Sequence, residues 1–204
     1  MTAPRIHRVT TLDLNVRPRP WPFADERRAE IEAHFAIKQR EKPKIWNGRI
    51  LLARDPVFAG DRFSASYFDA DFASFLAWRD WGFPDRGVFN GFGMVALRCC
   101  DGAVDMAGSV AREVEEETGL TPADYRTGAH WDCVVSGAAI AMIRMLNVEV
   151  KGEQLRATIE ANLARQDQPE LSAVHLVRDS GDLTASMPRF VTAFIEQQFS
   201  KASS

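Results

Sequence analysis

The sequence predicts an α/β fold in which helices cover a mixed sheet. Three observations carry that expectation: segments with strand-like alternation and segments with helical apolar spacing follow one another along the chain, the joins between them are short, and glycines or prolines punctuate them. With 46% hydrophobic and 26% charged residues in 204 positions, one sizeable core is affordable, so a single domain over residues 1–200 is expected. Residues 1–43 read as an N-terminal arm and helix, and residues 44–200 as the sandwich itself.

In the first 23 residues, Arg5, Arg8, Arg17 and Arg19 are interspersed with Pro4, Pro18, Pro20 and Pro22, a composition that favours extended chain over helix. An arm laid over the domain or over a neighbouring subunit is expected. Asp25 is placed to cap a helix reaching about Glu41, with Ile31, His34, Phe35 and Lys38 at helical spacing and Pro43 ending it. His34 on that stripe reads as a packing residue. Asn47-Gly48 is the strongest hairpin signal in the chain, since both turn positions tolerate positive φ, and it predicts that residues 44–46 pair with residues 49–53.

Residues 63–68 alternate apolar with small or polar residues, as a half-buried strand does. Asp69 or Asp71 then starts a helix carrying Phe72, Phe75, Leu76 and Trp78 inward, broken at Gly82-Phe83-Pro84. Trp46, Trp78, Trp81 and Phe83 are able to stack on a base, although core packing is the better account of the aromatic stripe. Residues 91–97 predict a buried strand. Residues 130–135 and 138–150 predict two strands joined at Ser136-Gly137; residues 153–165 follow as a helix with Leu155, Ile159 and Leu163 inward. A strand over 172–177 and a helix from Pro188 to Phe199 complete the order.

The net charge of −3 supplies no basic footprint, so a nucleic-acid partner is not expected and a small-molecule substrate is. No run of 18 apolar residues and no secretory leader pattern occurs, which sets a cytoplasmic expectation with no membrane partner. Cys99, Cys100 and Cys133 lack metal-ligand spacing and read as buried thiols in a reducing compartment. The arginine- and proline-rich arm makes a homodimer reasonable.

The densest chemistry lies at Ala111-Arg112-Glu113-Val114-Glu115-Glu116-Glu117-Thr118-Gly119-Leu120. At about 100° per residue, Glu113, Glu116 and Glu117 share one side of a helix over 105–119. Ala107, Val110, Ala111, Val114 and Thr118 form an apolar stripe away from them. Asp105 is placed as N-cap and Gly119 as the left-handed terminator. Like charges at these spacings cost a few tenths of a kcal/mol per pair, so a compensating cation is expected unless the acids simply face water. Hard carboxylate oxygens on a rigid element suit Mg²⁺ or Mn²⁺ shared with substrate phosphates.

Residues 112–120 resemble the second half of the Nudix box, Arg-Glu-hydrophobic-any-Glu-Glu-any-Gly-hydrophobic, at every defined position. The resemblance implies an α/β/α sandwich with a mixed sheet, extended here at the N-terminus by a helix and a β-hairpin. It also implies a pyrophosphohydrolase cleaving a nucleoside diphosphate linked to another moiety. By motif position it makes Glu116 and Glu117 the principal metal ligands and Glu113 a further ligand or the base for the attacking water. Arg112 would orient a carboxylate, Gly119 would let the helix end close to the sheet, and Glu170 would be the acid supplied by a later loop. The first half of the box is degenerate or missing: Arg98 and Val104 stand where its glycine and glutamate belong, and the segment from Leu97 to Asp105 is too short for the family's second strand and glycine-rich loop. The alternative function is therefore a non-catalytic Nudix-fold module that binds a nucleotide or a partner.

Overall fold

The computed structural model describes residues 3–102, 104–105, 111–167 and 174–202. In chain order its elements are β1 (Arg5–Val9), β2 (Thr11–Val16), α1 (Pro22–Glu26), α2 (Arg28–Glu41), β3 (Arg49–Ala59), β4 (Arg62–Asp71) and α3 (Phe72–Asp80). There follow β5 (Val88–Arg98), β6 (Val104–Asp105), α4 (Ala111–Thr118), β7 (Tyr125–Ser136), β8 (Ala139–Val148), α5 (Gly152–Leu163) and α6 (Arg189–Ala202). The fold is mixed α/β, as the alternation of periodicities predicts. Internal contacts gather it into two units, one made of Met1–Thr11 with Phe92–Ser204 and the other of Leu12–Gly91.

In the first unit the strand order is β1-β7-β8-β5, with β6 paired to β5. β1 runs antiparallel to β7, and β7 antiparallel to β8 through a turn at Gly137, whose φ is +61°. Successive residues of a strand point to opposite faces, and the two faces carry separate cores. Val95 and Leu97 of β5 and Leu146 and Val148 of β8 pack with Val114 of α4 and with Leu155 and Ile159 of α5. Ala96 of β5, Val134 of β7, and Ala141, Ile143 and Met145 of β8 pack with Val191, Phe194 and Ile195 of α6. Helices thus cover both faces of this sheet.

The second unit is built on the order β5-β3-β4-β2. Its centre is aromatic: Trp78 is fully buried, and Trp21 meets it edge-on at 6.1 Å and Phe68 at 5.7 Å. Burying two indoles requires partners for two N–H groups. Asp85 supplies both, since Trp21 Nε1 donates to its carboxylate at 3.0 Å and Trp78 Nε1 to its carbonyl at 3.0 Å. Arg54 Nη2 donates to the same carboxylate at 2.6 Å. Core packing is therefore the role of Trp78. His34 of α2 makes a contact between helices, with Nε2 3.0 Å from Asp80 Oδ2 and its ring edge-on to Trp81.

Several expectations are corrected. The Asn47-Gly48 hairpin does not form; β3 instead turns back into β4 through Gly60, at φ +58°, where Phe58 and Phe63 stack at 4.6 Å. Asn47 has another use, because its Oδ1 accepts from Ala73 N at 2.8 Å and so satisfies an open donor in the first turn of α3. The helix expected from Asp25 is two, with Pro22 at the start of α1 and a break at Arg27. The extended N-terminal arm lies on the domain as strands, since its residues form β1 and β2 and are hydrogen-bonded into sheets. Asp105, expected as a helix cap, lies in β6 opposite Leu97, so a two-residue second strand does exist where none was expected to fit. Residues 174–176 are not strand, and residues 168–173 lie outside the described residues. Cys99 and Cys133 are buried as expected, but Cys100 is exposed at the turn after β5.

Two outcomes follow from this packing. Leu155→Ala, at a site with no solvent exposure, should lower unfolding free energy by about 2–5 kcal/mol in urea titration. Asp71 caps α3, accepting from Ser74 N at 2.9 Å and Arg28 Nη1 at 3.0 Å. Burial raises its carboxyl, but those donors outweigh it and hold the group below its ordinary value. Because the folded-state value is depressed, its contribution is complete above the unfolded carboxyl value of about 3.9 and is lost as pH falls through the folded one. The stability difference between wild type and Asp71→Asn should therefore be constant above about pH 5 and close as pH falls through the depressed folded-state value.

Candidate functional site

The first unit presents chemistry on both faces of its sheet. On one face, α4 buries Val114 and Thr118 completely, while Glu115 and Glu116 are exposed and Glu117 is half-buried. The division of the helix into an apolar and an acidic side matches its periodicity. Its end is firmly built: Thr118 Oγ1 donates to the Val114 carbonyl at 2.5 Å and accepts from Leu120 N at 3.2 Å, and Gly119 N donates to the Glu115 carbonyl at 2.9 Å. Gly119 has φ +75°, a conformation that favours glycine, and a Cβ there would crowd the Asn162 side chain at 3.0 Å.

Helix α5 holds this end by its polar side. Asn162 Nδ2 donates at 3.1 Å, and Gln166 Nε2, just past α5, at 2.6 Å, both to the carbonyl of Glu116. A groove of about 410 Å³ runs beside the contact, lined by Thr118, Gly119, Asn162 and Arg165 among others and, among the described residues, by no carboxylate. Of the predicted site residues, Glu116 and Glu117 are adjacent on the accessible end of α4. The side chains of Arg112 and Glu113, and all of Glu170, lie outside the described residues. Among the described residues, no three of His, Cys, Asp and Glu are grouped closely enough to hold a metal ion.

The other face carries a site that sequence reasoning missed. A cleft of about 260 Å³ is lined by Arg8 of β1, Arg98 of β5, His130 and Asp132 of β7, Asn147 of β8 and Gln198 of α6, with Gly128 and Met145. Asp132 and Gln198 are buried. Arg8 grips Asp132 with two bonds, Nε to Oδ1 at 3.1 Å and Nη2 to Oδ2 at 3.3 Å. Gln198 Nε2 donates to Oδ2 at 3.4 Å and its Oε1 accepts from Arg98 Nη2 at 2.6 Å. His130 Nε2 stands 3.9 Å from Oδ2, beyond a hydrogen bond.

Arg8 is thus paired directly with the carboxylate while Arg98 reaches it only through Gln198, which leaves a positive charge in a partly enclosed space. Burial pushes the Arg98 guanidinium below its ordinary value; Asp132 opposes that shift and Arg8 adds to it. The Cys133 thiol beside them is pushed up to about 12 by burial and by Asp132, so it is neutral and no nucleophile.

The signal for this cleft is present but dispersed. Each polar residue lies two positions from an apolar one on the same face: Arg8 from Ile6, Arg98 from Ala96, Asp132 from Val134, Asn147 from Met145. What sequence does not reveal is register, which sets Arg8 directly opposite Asp132 across β1 and β7. No protein-family model matches this sequence, and no curated protein matches it either.

Asp132→Ala would leave two guanidiniums facing each other. Because Arg8 remains 43% exposed and can rehydrate, the expected loss is about 1–3 kcal/mol, readable in urea titration.

Proposed function

We propose that the chain is a metal-dependent pyrophosphohydrolase of the Nudix kind, cleaving a nucleoside diphosphate linked to another moiety. The observation that carries this reading is the agreement between residues 112–120 and the half-box at every defined position, on a helix whose acidic end is accessible and whose glycine terminator is left-handed. Glu116 and Glu117 offer hard oxygen donors fitted to Mg²⁺ or Mn²⁺ held jointly with substrate phosphates and water. Such an ion, when bound, neutralises charge on the diphosphate and activates water. Glu113 is assigned as the further ligand or base, Arg112 as the group orienting a carboxylate, and Glu170 as the later acid.

A second reading, a module that binds a nucleotide without cleaving it, is favoured by one feature. Among the described residues β6 comprises Val104–Asp105, and Arg98 and Val104 occupy the box positions of glycine and glutamate.

The two are separated by product release from dinucleotides, ADP-ribose, nucleotide sugars and coenzyme A in Mg²⁺ or Mn²⁺. The enzyme reading expects turnover that falls by about a hundredfold or more in Glu116→Gln, Glu117→Gln, on the scale of removing strong electrostatic stabilisation of the transition state. Equally slow release by both proteins sinks it. A rise in melting temperature with nucleotide but no release is the outcome expected of the binding module.

A further inference from the structure

We propose that the cleft between β1, β5, β7, β8 and the end of α6 is a binding site for a phosphoryl group, on the sheet face opposite α4. The argument begins with what Asp132 does there. Its Oδ1 is taken by Arg8 and its Oδ2 by Arg8 and Gln198, so the carboxylate is tied into the wall and orders the site.

The guanidiniums are only partly used by these bonds. Among the described residues, Arg8 commits Nε and Nη2 to Asp132, and Arg98 commits Nη2 to a neutral amide. Arg8 Nη1 and Arg98 Nη1 and Nε remain as donors of a kind suited to oxyanions. Arg98 has no carboxylate within ion-pair distance among the described residues, although it is half-buried. A half-buried cation bonded only to an amide gains most from an anionic ligand.

Geometry selects the ligand class. Polar side chains line the space from four strands: Arg8, Arg98, His130 and Asn147, whose amide nitrogen also donates to the Arg126 carbonyl at 3.3 Å. A planar carboxylate is satisfied by one guanidinium edge, whereas a tetrahedral phosphoryl group accepts from several directions at once. The volume of about 260 Å³ lies at the small end for ligand sites, suited to phosphate carrying a short organic group. Gln198, braced between Asp132 and Arg98, fixes the two arginine positions relative to α6.

The test is calorimetric titration of the whole chain with inorganic phosphate, with EDTA present so that the acidic helix contributes no metal. Wild type should bind saturably, and Arg98→Gln should bind about tenfold or more weakly, the scale of a hydrogen bond to a charged group. Acetate should bind far more weakly than phosphate. If Arg98→Gln does not fold, phosphate titration of the wild-type imidazole resonances serves instead, with the His130 signal, identified by its loss in His130→Gln, expected to move. Glu116→Gln, Glu117→Gln should bind phosphate as wild type does, which keeps this result independent of the hydrolase reading. Absence of saturable binding, an unchanged Arg98→Gln affinity, equal binding of acetate, or an unmoved His130 resonance would overturn the proposal.

Discussion

The period-two alternation of β5, β7 and β8 is the constraint on which the first unit depends. Because Val95 and Leu97 face one way and Ala96 the other, a single strand must be covered twice. α4 and α5 cover one side, α6 the other. The same alternation decides where polar groups can stand. Where α6 ends its apolar contact, the face continues as Arg98, Asp132 and Asn147, and these groups must satisfy one another or take a ligand. The acidic helix and the basic cleft are therefore kept apart by the sheet itself, with opposite charge on its two sides.

Much of the architecture was legible wherever the signal was local. α3 begins at Asp71 and ends near Gly82, β7 and β8 turn at Gly137, and α5 and α6 bury the residues that their spacing selects. Caps, glycine turns and apolar stripes are properties of a few neighbouring residues. The Asn47-Gly48 turn failed for a reason outside that window: the Asn47 side chain is engaged by the backbone of α3, about 26 residues onward. The arm within residues 1–23 was legible only in part, for a similar reason. Prolines and arginines suggested extended chain correctly, but nothing local says which strand receives it.

The candidate sites divide along the same line. The face of α4 could be deduced because helical spacing alone sorts Val114 from Glu116 and Glu117. The cleft could not, because its six polar residues come from five separate elements and meet only through strand pairing and the docking of α6. Arg98 illustrates this well. In sequence it is merely a residue that breaks a motif, whereas in the fold it is linked through Gln198 to the buried carboxylate that Arg8 grips.

The pairing of β1 with β7 also bears on the order in which the protein assembles during synthesis. Arg5 is set opposite Val135, about 130 residues later, so β1 has no partner until β7 has left the ribosome. The whole of Leu12–Gly91 emerges in between and gathers into its own unit. Domains tend to form as units in the order they are made, and closing so long a loop is slow. The first strand of the chain is thus among the last to be placed. Until then its backbone donors and acceptors form an open edge available to other nascent chains.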